Sequence, residues 1–222
     1  MKKFFERFKG AAGASSDSFT NGLQGQGDAG EDSRFFSTMF QERSDDAVPV
    51  ASWKARAAEI GAQPHERALG AEKFALLWGV DRYVASLTRE ELDRMSQYLE
   101  FVEVAAGKEV IGQDEQGDYM LIVLEGSLSV DRIHAWGARA RLAEARPGDI
   151  LGEMSLLDAG SRFSACTTTT PCVLAVVDAH GLDLMITHEP RLGLALLASL
   201  ARRLSLRLRQ VSARLSALLS RG

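Results

Sequence analysis

Residues 147–162 read Pro147-Gly148-Asp149-Ile150-Leu151-Gly152-Glu153-Met154-Ser155-Leu156-Leu157-Asp158-Ala159-Gly160-Ser161-Arg162. In this stretch a strand end can turn through Gly152 into a brief helical segment. The free N–H groups there can receive an anion, because a glycine offers no side chain to obstruct it. Glu153, in the first helical turn, can accept a hydrogen bond from a hydroxyl. Arg162, ten residues after Gly152, can return as a guanidinium fork onto phosphate oxygens, from an expected exposed position. Taken singly, these residues read as a turn glycine, a helix N-terminal charge and a surface arginine. In combination they describe a pocket for a sugar hydroxyl and a phosphate at once.

Outward from this stretch the pattern has period two. From Phe101 to Val177 short runs such as VEV, YMLIVL, SLSV, ARLA and VLAVV alternate with Gly- and Pro-containing turns, which predicts antiparallel β-structure of sandwich or roll type. Upstream, Thr88-Arg89-Glu90-Glu91 is a capping box flanked by a Leu87/Leu92 staple, so a helix is expected to start at Arg89, with Leu92, Met95 and Leu99 on its apolar face. After Asp178 the helical period returns. Leu194, Leu197, Ala201, Leu204, Leu208, Val211, Leu215 and Leu218 follow alternating steps of three and four, the seam of a parallel two-stranded coiled coil. A helix packing the same stripe on its own β-domain is the alternative, since Leu192, Leu196 and Leu206 lie off the seam.

The quoted stretch resembles the phosphate-binding cassette of the cyclic-nucleotide-binding domains, roughly G-E-[LM]-[SA]-L, a short turn, then Arg. The likeness extends over about Leu87 to Leu208. It takes in Ala106-Gly107-Lys108, Gly117-Asp118-Tyr119, Leu124-Glu125-Gly126, Pro147-Gly148-Asp149 and Leu200-Ala201-Arg202-Arg203-Leu204, in family order. It implies a mainly β fold with flanking helices, an antiparallel β-roll or jelly roll followed by a long C-terminal dimerisation helix, as in catabolite activator protein-like regulators. It further implies that Leu151, Gly152, Met154 and Ser155 supply or frame backbone donors, that Glu153 holds a ribose 2′-hydroxyl, and that Arg162 neutralises a cyclic phosphate. The ligand so implied is cAMP or cGMP, with no other cofactor and no metal. The sequence departs from the pattern after the arginine, where Phe163-Ser164-Ala165 displaces the usual hydroxyl; Ser164 recovers that role if the register slips by one. At the base, Arg207 and Leu208 stand where a small polar pair is more familiar. Arg207 can stack on a purine or donate to guanine N7 and O6, or else snorkel beside the coiled coil.

The segments expected along the 222 residues are an amphipathic tag and flexible linker over 1–34, a poorly defined helical segment over 35–72, the β-roll over 73–188 and the dimerisation helix over 189–222. Phe4, Phe5 and Phe8 can share one helical face, which suits peripheral membrane contact through residues 1–9 or a protein partner at the N-terminal segment. The net charge of −4 is uneven: −2 over 1–66, −8 over 67–188 and +6 over 189–222. No recognition helix follows the last helix, so sequence-specific DNA binding is not expected. No secretory signal or membrane span is recognisable, which places the chain in the cytoplasm. Cys166 and Cys172 read as buried thiols, and His65, His134, His180 and His188 lack the grouping of a metal or catalytic site, so no enzymatic activity is expected. The expected function is a cyclic-nucleotide-responsive regulatory module that signals through a homodimer helix to a protein partner. The alternative is a degenerate fold that binds no nucleotide and serves as a protein-interaction scaffold.

Overall fold

The computed structural model describes residues 34–43 and 50–220; the expected tag and most of its linker lie outside them. Its backbone runs through α1 (Phe35–Arg43), β1 (Val50–Ala51), α2 (Trp53–Ile60), β2 (Gln63–Pro64), α3 (Arg67–Trp78), a 3-10 turn at Val84–Ser86 and α4 (Arg89–Ser96). The strands that follow are β3 (Glu100–Val104), β4 (Glu109–Ile111), β5 (Gln116–Gly117), β6 (Tyr119–Glu125), β7 (Leu128–Ile133), β8 (Arg139–Ala145) and β9 (Ile150–Leu151). Helix α5 (Glu153–Asp158), β10 (Ala165–Thr168), β11 (Cys172–Asp178), α6 (Ala179–His188) and α7 (Pro190–Leu219) complete the described chain.

Strand β6 is apolar almost throughout because both of its faces are covered. Leu121 and Val123 point into the roll, beside Val102, Leu174 and Val176 and across from Val110, Ile111, Leu128 and Cys166. Met120, Ile122 and Leu124 face the opposite way, into a second cluster with Phe74, Trp78, Met95, Leu182, Leu192, Leu196 and Leu200 of the helices. A strand buried on both sides reads as a continuous hydrophobic run. It lies in a five-stranded sheet ordered β2-β3-β11-β6-β9, opposite a four-stranded sheet ordered β4-β10-β7-β8, and the pairings within both are antiparallel. The β-roll with flanking helices and a long last helix is therefore as expected from the sequence.

Helix α4 starts at Arg89 through the capping box: Glu91 N–H donates to Thr88 Oγ1 and Thr88 N–H donates to Glu91 Oε2 at 2.7 Å. The region before it holds more structure than the sequence reading drew. Two helices and the start of a third occupy residues 35–70, and the position expected to divide the helical segment from the roll, between 72 and 73, falls inside α3. Helix α1 packs Phe36 and Phe40 into the helix-side cluster, and its first amides, Phe36 N–H and Ser37 N–H, both donate to the Asp183 carboxylate of α6 at 2.8 Å. Strand β1 joins β5 in a two-stranded parallel pair.

Helix α7 divides its apolar residues between two faces. Leu192, Leu196 and Leu200 are buried against the helix-side cluster, whereas Leu194, Leu208, Val211, Leu215 and Leu218 are exposed. Of the seam stripe, Leu197 packs partly against this chain's own core, whereas Leu194 and the positions from Leu208 onward do not. Among the described residues no helix is long and apolar enough to cross a membrane.

Candidate functional site

Gly152 sits at the N-terminus of α5 with φ +82, the left-handed region that a glycine enters without a Cβ penalty. The turn carries Glu153 into the space beneath α7, where its side chain is 6% exposed. Leu151 and Ser155 are buried, and Met154 is half exposed. Arg207 reaches down from α7, and its Nη1 donates to Glu153 Oε1 at 2.6 Å. These two expected site residues are thus in direct contact. They line a cleft of about 200 Å³, together with Asp149, Ile150, Leu200, Arg203 and Gln210.

Arg203, to which the sequence reading assigned no role, is the other basic group of this cleft. Its Nη1 donates to Gly148 O at 3.0 Å, Nη2 lies 3.6 Å from Asp81 Oδ2, and its guanidinium carbon sits 4.7 Å from the Trp78 ring centroid. The spacing of Arg203 and Arg207, one helical turn apart, puts both on the same face and was the available signal.

Arg162 corrects the expectation of an exposed position: it is 2% exposed. Its Nη1 donates to Gly152 O at 2.7 Å, Nη2 donates to Tyr119 O at 2.6 Å, and the guanidinium carbon lies 4.6 Å from the Tyr119 ring centroid. Two glycines make the room. A methyl group on Gly152 would sit 2.5 Å from Nη1, and one on Gly117 would sit 2.5 Å from Nη2. The buried Nε has no partner. Among the described residues no carboxylate lies within ion-pair distance of this guanidinium. Burial pulls its pKa below the ordinary arginine value, against the fields of Tyr119 and Glu115. Arg162 does not line the cleft; it connects to Glu153 through the Gly152 carbonyl.

The two residues after the arginine take different places. Phe163 is exposed, with the Arg132 guanidinium 4.4 Å from its ring centroid and Arg132 Nη1 donating to its carbonyl. Ser164 is half-buried just ahead of β10. Cys166 lies behind them, and burial pushes its thiol up to about 12, so it stays protonated. Among the described residues no cluster of His, Cys, Asp or Glu could hold a metal ion.

A cation enclosed by neutral carbonyls, next to a turn that opens a helix, is a setting that can receive an anion. Residues 101–189 match the family model described as the cyclic nucleotide-binding domain. A CRP-like cAMP-activated global transcriptional regulator of Mycobacterium tuberculosis is 32% identical over 110 residues, which is 50% of this chain and 49% of the relative. The chain thus spans about half the length of that relative. Among solved structures, a cyclic nucleotide-binding domain from Methylobacillus flagellatus superposes with a TM-score of 0.63 at 22% identity, covering 69% of this chain and 85% of that one. The Thermus thermophilus catabolite activator protein superposes with a TM-score of 0.54 at 29% identity, covering 61% and 62% respectively. With this roll and this cassette in place, residues 101–189 form a domain of the cyclic nucleotide-binding family.

Proposed function

We propose that the protein is a cyclic-nucleotide-responsive regulatory module that binds cAMP or cGMP in the Gly152–Arg162 cassette and passes the signal through α7 to a protein partner. The observation that carries this reading is Arg162: a buried guanidinium held by two carbonyls, with an unpartnered Nε and, among the described residues, no carboxylate within ion-pair distance. In this reading the cyclic phosphate supplies the anion, and the backbone of residues 151–155 frames it. Glu153 accepts the ribose 2′-hydroxyl, Arg207 flanks the base from α7, and Ser164 stands by as a further hydroxyl donor. The name of the Mycobacterium tuberculosis relative, cAMP-activated, favours cAMP as the first ligand to test.

The exposed stripe of α7 supports a parallel homodimer, since an apolar seam left open by its own roll is available to a second copy. The charge of +6 over residues 189–222 adds only salt-sensitive attraction to anions.

The test is calorimetry on the full chain with cAMP and with cGMP. Wild-type protein is expected to bind, and Arg162→Ala to lose about 2–5 kcal/mol of affinity, the scale of a truncated buried charge contact. Because Arg162 is enclosed, the same substitution also leaves a cavity and takes a donor from the Gly152 and Tyr119 carbonyls, so its fold is checked by circular dichroism alongside. Absence of heat and of thermal stabilisation with either nucleotide at millimolar concentration would leave the scaffold reading in its place.

A further inference from the structure

The contacts that fix Arg162 come largely from one short stretch, residues 114–119. Tyr119 supplies a carbonyl and a ring, and Gly117 supplies the space beside Nη2 and Nε. The backbone is held too, with Arg162 N–H donating to Glu115 O at 2.8 Å and Asp114 N–H donating to Arg162 O at 2.9 Å.

The outer side of that stretch is covered by β1 and α2, which precede the family-matched residues. Val50 and Ala51 pair in parallel with Gln116 and Gly117. Trp53, 4% exposed, packs edge-on to Tyr119 with ring centroids 5.4 Å apart. Arg56, 9% exposed, places Nη2 on both carboxylate oxygens of Glu115, at 2.7 and 2.5 Å. Glu115 is held in turn by Gly112 N–H at 2.7 Å. The start of α2 is fixed to β1 by Ser52, whose hydroxyl accepts from Ala55 N–H. Three separate routes therefore run from this segment to Arg162 in two steps: Trp53 through Tyr119, Arg56 through Glu115, and β1 through Gly117.

We propose that residues 50–60 form the positioning element of Arg162, with Trp53 and Arg56 as positioning residues that set where its guanidinium rests. The proposal rests on the reading of Arg162 as the phosphate-binding group. A bulky aromatic on one side and a bidentate ion pair on the other hold the 114–119 stretch against the roll. Loss of either lets Tyr119 and Glu115 relax and carries the guanidinium away from the Gly152 carbonyl. Coupling of this kind is reciprocal: an anion that fixes Arg162 strengthens the docking of residues 50–60 by the same free energy. The N-terminal segment thereby reports occupancy of the cassette, a second output besides α7.

The experiment uses the full chain and two readouts. The first needs no nucleotide. The side-chain Nε–H resonance of Arg162, assigned by its loss in Arg162→Lys, reports the position of the guanidinium directly. Arg56→Ala is expected to shift or broaden it, Arg56→Lys to return it towards the wild-type position, and Val84→Ala, a truncation in the helix-side core cluster rather than the one that holds Trp53, to lower the melting temperature without moving it. If Arg56→Ala fails to fold, Glu115→Gln keeps the shape of the pair, removes its charge and is expected to shift the resonance likewise. The second readout is cAMP binding. Arg56→Ala is expected to weaken it about 3- to 30-fold, the range over which coupled residues act on a distant site. Bound cAMP is expected to slow amide exchange over residues 50–60. An Arg162 resonance unmoved by both Arg56→Ala and Glu115→Gln would overturn the proposal, whatever the nucleotide does. A resonance that moves in a protein that binds no nucleotide would overturn the functional reading and uphold the positioning role.

Discussion

The enclosure of Arg162 makes two glycines as consequential as the arginine itself. Gly152→Ala places a methyl group 2.5 Å from Nη1 on a backbone at φ +82. It is expected to cost about 1–3 kcal/mol from strain alone and to displace the guanidinium. Thermal unfolding and cAMP calorimetry on the same sample check both effects, and an unchanged melting temperature would contradict the packing described here. Arg207 has its Nη1 on Glu153, a contact within the protein itself. Arg207→Ala is therefore expected to alter cAMP and cGMP affinity equally; a loss larger by about 1–3 kcal/mol for cGMP would instead mark a direct guanine contact. The sequence made the cassette legible because Gly152, Glu153 and Arg162 lie within eleven consecutive residues. It did not show that Arg162 is buried, because the carbonyl and ring that accept it belong to Tyr119, 43 residues earlier. Nor did it show the Arg207–Glu153 contact, which depends on how α7 crosses the cleft.

Among the elements, α7 carries the clearest division of labour. Its inner face, through Leu192, Leu196 and Leu200, is spent on this chain's own core, and its outer stripe is not. Leu208→Glu on that stripe is expected to convert a dimer to a monomer, because it sets two like charges face to face in an apolar seam. Light scattering decides the matter, and a mass unchanged by the substitution would mean that the stripe is not the contact. The β7–β8 hairpin gives a pH prediction. Burial alone would raise the Asp131 pKa, but hydrogen bonds from Arg141, Arg139 and Ser129 outweigh it and hold the carboxyl at about 2. Because the folded value lies below the unfolded one, the contribution to stability is present at neutral pH. It is lost as pH falls from roughly 4, the usual aspartate value, through about 2. Both arginines are more than half exposed, so solvent screening limits that contribution to about 1–2 kcal/mol. Asp131→Asn should flatten the acid limb of stability over that window, and an acid limb like that of wild type would show that other carboxylates carry it.

Across the whole molecule, period and punctuation were enough to separate roll from helices. The change to period two at Phe101, its end at Asp178 and the Thr88 capping box each mark a boundary that the structure keeps. Residues 35–78 were hard to read for a physical reason. Their first two helices have only nine and eight residues, and their strands β1 and β2 only two each, so their order depends on partners far along the chain. Val50 pairs with Gln116, and no local pattern announces that.

The cap on α1 has a consequence for biogenesis. The carboxylate that receives Phe36 N–H belongs to a residue 147 positions later. At a ribosome adding roughly 5–20 residues per second, about 7–30 s separate the two, and α1 is too short to hold itself as an isolated helix in the interval. During that time Phe36 and Phe40 have no core to enter. The order of docking is set by translation: the roll and α6 have to emerge before α1 can dock, so the earliest of the described helices to leave the ribosome is among the last to find its place.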